Sequence, residues 1–258
     1  MGKFGICLAE LTRTMRNCYN APLENGCECE WRGAVNILGV VEQIFRDRSS
    51  FFADVQKAAG LPRKIGECAI VWAAAWFLVG VVVGAPGGVY QILASAIKLP
   101  LLFGVTALIG LPLLYFLALY SGARLQLYQV AAILSAMLVV AGVLALGCIP
   151  ALLVLWISVG DYALYKLAVA AVLVFSSILG VLFVKQGLDK PARGASKVRE
   201  ALFWVWAVLY AFVGGQLGWL MRPFVGMPDA PFQFLAGAGG SLYANLARTF
   251  WALLLSVF

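Results

Sequence analysis

"IPALLVLWISVGDYALYKLAVAAVLVFSSILGVLFVK", residues 149–185, decides how many times this chain crosses a membrane. The run is apolar except around Gly160-Asp161 and Lys166. If Ile149 to Val159 crossed fully, the next helix would end on the outer side. Its flank carries Lys185, Lys190, Arg193, Lys197 and Arg199, the densest basic loop in the chain. Lysines and arginines collect in cytoplasmic loops, so that placement is disfavoured. Eleven residues of helix also rise only about 17 Å, against a hydrocarbon core of roughly 30 Å. Ile149 to Val159 is therefore read as a half-crossing segment that turns at Gly160-Asp161. Tyr162 to Val184 then returns inward, giving five full spans plus one partial, with six full spans as the alternative.

Composition sets the class. Of 258 residues, 63% are hydrophobic and 12% charged, and the mean hydropathy is +0.92. Soluble domains are nearer half apolar and a quarter charged, so the expectation is an all-α polytopic membrane bundle. Residues 1–30 lack the basic-then-apolar pattern of a signal peptide, and the first span is expected to serve as its own insertion signal. The net charge of +7 comes from basic flanks of membrane helices rather than from a nucleic-acid surface, because the lysines and arginines are not interleaved with aromatics. Histidine is absent, which removes the commonest general base, the histidine-activated nucleophiles and most catalytic zinc sites. The Cys27-Glu28-Cys29 spacing is not that of a zinc knuckle, and the six cysteines are expected as reduced thiols. No catalytic residue, metal or cofactor is expected, and the chain is read as no enzyme.

The chain falls into three parts. Residues 1–66 form an N-terminal segment placed in the cytoplasm, irregular to about residue 30. An amphipathic helix runs from Ala34, with Ile37, Leu38, Val41, Ile44 and Phe45 on one face. A second helix is expected after Ser49 or Ser50 as N-cap, with Gly60 and Pro62 as its stop. These two suit the headgroup region, or equally the protein's own cytoplasmic face. Residues 67–222 hold the spans: Glu67–Gly84, Leu99–Tyr120, Leu125–Leu146, Tyr162–Val184 and Ala201–Met221. Lys98-Leu99-Pro100 is expected to break the second unit, leaving Gln91–Ile97 as a short interfacial helix, and Pro112 to kink the span from Leu99 to Tyr120. Residues 223–258 form a tail whose apolar "SLYANLARTFWALLLSVF" is expected to dock on other helices or between subunits.

Two blocks carry a family likeness. "GGQLGWLMRPF", residues 214–224, resembles the signature G-x-Q-x-G-W-x-x-R-P-F of a family of uncharacterised bacterial polytopic membrane proteins. "QILASAIKLPLLFGVTALIGLPLLY", residues 91–115, resembles a second block at Gln91, Ser95, Lys98, Pro100, Thr106 and Pro112. That family is distantly similar to the YIP proteins, five-span proteins of vesicle traffic that associate with Rab GTPases. The YIP loop motif Asp-Leu-Tyr-Gly-Pro is missing here, so no GTPase partner is implied. The nearer resemblance implies topology and a bacterial inner membrane, and no activity.

Few residues could carry chemistry. Gly214 and Gly218 have the spacing of a helix-packing face, with Gln216 between them as a hydrogen-bonding residue. Trp219 and Arg222 suit a helix terminus at the headgroups, where Pro223 halts the helix and Arg222 reaches phosphate or an acidic partner. Lys98 is expected as an interfacial anchor, although a charge beside a broken helix is also how transporters build ion sites. Asp161 is read as a helix cap and, with Lys166, as an intramembrane polar pair. The expected function is a scaffold or accessory subunit whose partners are membrane lipids and other membrane subunits, or its own copies, met through the glycine faces and the tail. The alternative is a homo-oligomeric channel or transporter using the broken helices near Lys98 and Asp161.

Overall fold

The structure, a computed structural model, describes residues 32–58, 60–120, 125–159, 162–189 and 197–225. The four N-terminal cysteines, Asp161 and the apolar tail lie outside these residues. The chain divides into two compact units, 1–35 and 36–258, and only residues 32–35 of the first are described. Every described element is helical: α1 (Arg32–Arg46), α2 (Arg48–Gln56), α3 (Leu61–Gly84), a 3-10 turn (Ala85–Gly87), α4 (Val89–Tyr120), α5 (Leu127–Gly147), α6 (Ile149–Val159), α7 (Tyr162–Asp189) and α8 (Lys197–Leu220). Five are long and apolar enough to cross a membrane: α3, α4, α5 with the adjoining α6, α7 and α8. The protein is an all-α polytopic bundle.

Helix α3 lies at the centre, with its most extensive contacts to α4 and α5; α7 packs on α5, and α8 packs on α4. Glycine sets the closest of these approaches. A Cβ on Gly84 would lie 2.7 Å from the Gln91 carbonyl oxygen, and one on Gly80 would lie 2.6 Å from the Ala96 Cα. The two backbones are in contact there, as small residues permit in a membrane, where association depends on close packing. The same antiparallel register continues inward, where Trp72 lies against Gly104 and Trp76 stacks on Phe103 at 3.7 Å.

This contact explains a correction. The expected break at Lys98-Leu99-Pro100 is absent: α4 runs unbroken through Pro100 and Pro112 for 32 residues. Proline removes one donor from the helical ladder, but neighbouring helices hold such segments together in membranes. Here Gly80 and Gly84 seat the turn before Lys98 directly on α3.

The amino-terminal helices are docked on the protein. On α1, Val40 and Ile44 are buried, and on α2 Phe51, Phe52 and Val55 are buried. Phe52 meets Phe183 of α7 with ring centroids 5.0 Å apart. Asp47 is the N-cap of α2, accepting from the Ser50 N–H at 3.2 Å, in place of Ser49 or Ser50. Gly60, left-handed at φ 64°, caps the start of α3, and Pro62 sits in the first turn of that helix. The first span thus begins at Leu61 rather than Glu67. Gln129 ties these parts together. Its Oε1 accepts from the Gln126 N–H at 2.7 Å, capping α5, while its Nε2 donates to the Val55 and Gln56 carbonyls at 3.0 and 3.1 Å, capping α2.

Two outcomes test this architecture. Gly80→Leu drives a side chain into the α4 backbone and is expected to cost at least about 3 kcal/mol in detergent unfolding. Gly66→Ala, which meets open space, is expected to be neutral or to stabilise slightly; equal losses in the two variants would refute the backbone contact. At the α2–α3 corner, hydrogen bonds from Lys64 (2.6 Å) and Gln43 (2.8 Å) hold the Asp54 carboxyl below its ordinary value of 3.8. A depressed folded-state value means stability that is present above 3.8 and lost as pH falls below it. Unfolding midpoints measured on acidification are therefore expected to fall less steeply in Asp54→Asn than in the wild type.

Candidate functional site

Chain direction places two sets of groups at opposite ends of the bundle. At the amino-terminal end are α1, α2, the start of α3 and the junction of α7 and α8, where Lys185 pairs with Glu200 at 2.8 Å. At the opposite end are the α3–α4 turn, α6, the start of α7 and residues 221–225 after α8. Among the described residues, every aspartate and glutamate lies at the amino-terminal end. At the opposite end, the charged groups among the described residues are Lys98, Lys166 and Arg222.

The two blocks singled out in the sequence meet at that opposite end. Gln91, Ser95 and Lys98 recur at spacings of four and three, which puts them on one face of α4. All three are buried, Lys98 to 2% exposure. Their target is the backbone after α8. Gln91 Nε2 donates to the Pro223 and Phe224 carbonyls at 2.9 and 3.0 Å. Ser95 Oγ donates to the Phe224 carbonyl, and Lys98 Nζ to the Pro223 carbonyl at 3.1 Å. From α7, Tyr162 donates to the Val225 carbonyl at 2.9 Å. Three successive carbonyls of an irregular segment are thus satisfied by side chains, as a backbone in apolar surroundings requires. Nearby, Tyr165 donates to the Val82 carbonyl at 3.0 Å and closes α7 onto the end of α3.

The remaining sequence candidates fall at or near the same end. Gly214 lies against Thr106, whose methyl group would be 3.4 Å from an added Cβ. Around Gly218 a Cβ would meet nothing within 4 Å. Gln216 lies in the last two turns of α8. The Arg222 guanidinium sits over the Trp219 ring, 3.4 Å from its centroid. Lys166 is exposed on α7, and its intended partner Asp161 is outside the described residues. Among the described residues no cluster of histidine, cysteine or acidic groups could hold a metal.

The sequence reading passed over Gln129, Gly80 and Gly84. The glycines had a signal in "GVVVG", residues 80–84, the small-residue spacing already applied to Gly214 and Gly218. Tyr162 and Gln129 had none, since their acceptors are carbonyls distant in sequence.

Comparisons with protein-family models, with curated proteins and with solved structures find no match for this chain. The meaning of the site therefore rests on its geometry. Gln91→Leu leaves the Pro223 and Phe224 carbonyls short of a donor and is expected to cost about 1–3 kcal/mol in detergent unfolding. A double variant with Lys98→Met is expected to cost measurably more than the sum, because either side chain alone still satisfies the Pro223 carbonyl they share. Strict additivity would mean that the two do not act on one segment.

Proposed function

We propose that this chain is a non-catalytic integral membrane protein, a scaffold or accessory subunit of a larger membrane assembly. One observation carries the reading: six of the seven buried polar residues described, all but Arg199, are spent on the chain's own backbone. Gln91, Ser95, Lys98, Thr106, Gln129 and Ser176 are all buried, and each donates to a main-chain carbonyl of this protein. Groups that conduct an ion or perform chemistry face a cavity and keep their hydrogen-bonding capacity for substrate. The unbroken α4 supports the same view, since the transporter alternative drew on a broken helix at Lys98.

The assembly surface is apolar. Only 17% of the apolar window of α8 is buried. Its outward residues Trp204, Val205, Val208 and Phe212 are exposed, and they meet lipid or another subunit. The amino-terminal end is assigned to the cytoplasm by its basic residues, with Lys185, Lys197 and Arg199 beside α2 and α3 flanks that add Arg48, Lys57, Arg63 and Lys64. Lipid-anchored helix ends complete the reading, and the likeness of residues 91–115 and 214–224 to bacterial polytopic proteins belongs to it.

The deciding measurement is the mass and composition of the particle extracted from its native membrane in a mild detergent. The expected result is a particle with other membrane proteins at fixed ratio. A closed ring of this chain alone would overturn the accessory-subunit reading and favour a homo-oligomeric channel.

A further inference from the structure

We propose that the end of the bundle opposite α1 and α2 holds a phospholipid headgroup, with Arg222 as the fork for its phosphate, Trp219 as the plane that sets the fork, and Lys166 as a second cation. This deepens the lipid-anchored part of the function proposed above and rests on it. The Arg222 guanidinium carbon lies 3.4 Å from the Trp219 ring centroid, so the indole covers one face of the cation. The in-plane N–H groups have no partner among the described residues, and a guanidinium edge matches the paired oxygens of a phosphate.

The protein supplies no acceptor of its own among the described residues. Arg222 Nε is buried and has no hydrogen-bond partner there. The carbonyls that come after it in the chain are already taken: Pro223 by Gln91 and Lys98, Phe224 by Gln91 and Ser95, and Val225 by Tyr162. The described carboxylates all lie at the other end of the bundle. A buried Nε–H without an acceptor is costly, and an anion held by the other N–H groups of the same guanidinium offsets part of that cost.

Lys166 points to the same ligand. It lies one helical turn after Tyr162, the residue bonded to Val225, and is exposed between Leu164 and Leu167, which are 41% and 67% exposed. Leu220, just before Arg222, is 53% exposed. Both cations therefore stand at the apolar perimeter, where a ligand must present an anion and acyl chains together. A phospholipid does so, and a free anion does not.

The test uses the full-length chain, purified in mild detergent and stripped of lipid, with the thermal unfolding midpoint as readout. Dioctanoyl phosphatidylglycerol is expected to raise the midpoint saturably. Dioctanoylglycerol, which lacks the phosphate, and inorganic phosphate, which lacks the chains, are expected to leave it unmoved. Arg222→Gln is expected to raise the half-saturating lipid concentration about tenfold or more, the loss of one charge-assisted fork. Lys166→Gln, at an exposed position, is expected to shift it in the same direction by less, and keeps the test decisive if Arg222→Gln does not fold. Equal response to dioctanoylglycerol, saturation by inorganic phosphate alone, or unchanged half-saturation in both variants would overturn the proposal. So would a wild type deaf to lipid in which Asp229→Asn, a change seven residues along the chain from Arg222 and outside the described residues, destabilises as much as Arg222→Gln, which would assign Arg222 to an intrachain ion pair. None of these results depends on what else the native particle contains, so the scaffold reading can fail or stand separately.

Discussion

The contact between the backbones of α3 and α4 is the constraint on which the opposite end depends. Gly84 seats Gln91 and Gly80 seats Ser95 and Ala96, with no side chain between the helices. Once this register is set, the azimuth of α4 is fixed, and so is the face on which Gln91, Ser95 and Lys98 lie. Rotation of α4 by a quarter turn would carry Lys98 into lipid and leave the Pro223 and Phe224 carbonyls without donors. Apolar matching alone could not choose the azimuth, because beyond the Gln91–Ser95–Lys98 stripe α4 is apolar all round and lipid tails are as apolar as leucine. Steric fit at two glycines makes the choice.

The second constraint is the accounting of backbone polar groups. A helix that ends inside an apolar assembly leaves carbonyls that water cannot reach. Among the described residues, two of the places that meet the problem solve it with amide side chains. Gln129 serves the ends of α2 and α5 at once, and Gln91 serves two carbonyls after α8. An amide carries donors and acceptors on one short arm and needs no counter-ion, so it can be buried at less cost than a charge. Lys98 is the exception. Its long stem runs through packed residues and brings a cation to a carbonyl, which gives a stronger bond at greater desolvation cost.

Much of the fold was legible because membrane insertion reads coarse features. The basic cluster from Lys185 to Arg199, set against the eleven residues of Ile149–Val159, led to five long helices and one short one, the pattern the structure has. The failures lie where a local rule met a tertiary contact. Pro100 reads as a break by local stereochemistry, yet α3 holds the helix through it. The stripe on α1 is compatible with a headgroup layer or a protein surface, since both bury one apolar face; Ile44, with no exposure, and its neighbour Val40 place it on protein. The candidate site was half legible. Residues 91–98 and 214–224 stood out separately, but nothing in a single sequence says that side chains of the first would bind backbone of the second.

Helix α8 joins these constraints to function. Its inward edge is a single stripe, Phe203, Trp206, Tyr210 and Gly214, spaced three or four apart. Trp206 donates to the Gly110 carbonyl at 3.0 Å, and Tyr210 packs where a Cβ on Gly110 would come within 3.0 Å of its ring. Among the described helices, one aromatic stripe on one glycine step holds α8 chiefly to α4, whereas α3 is gripped by helices on both sides. Such a helix gains little from its own bundle in the middle of the membrane, so its ends must be secured. At one end Lys185 reaches Glu200, and at the other the carbonyls of residues 223–225 are held by α4 and α7. Pinned at both ends, with Trp204, Val205 and Val208 exposed along its length, α8 is the helix on which the proposed scaffold role would rest.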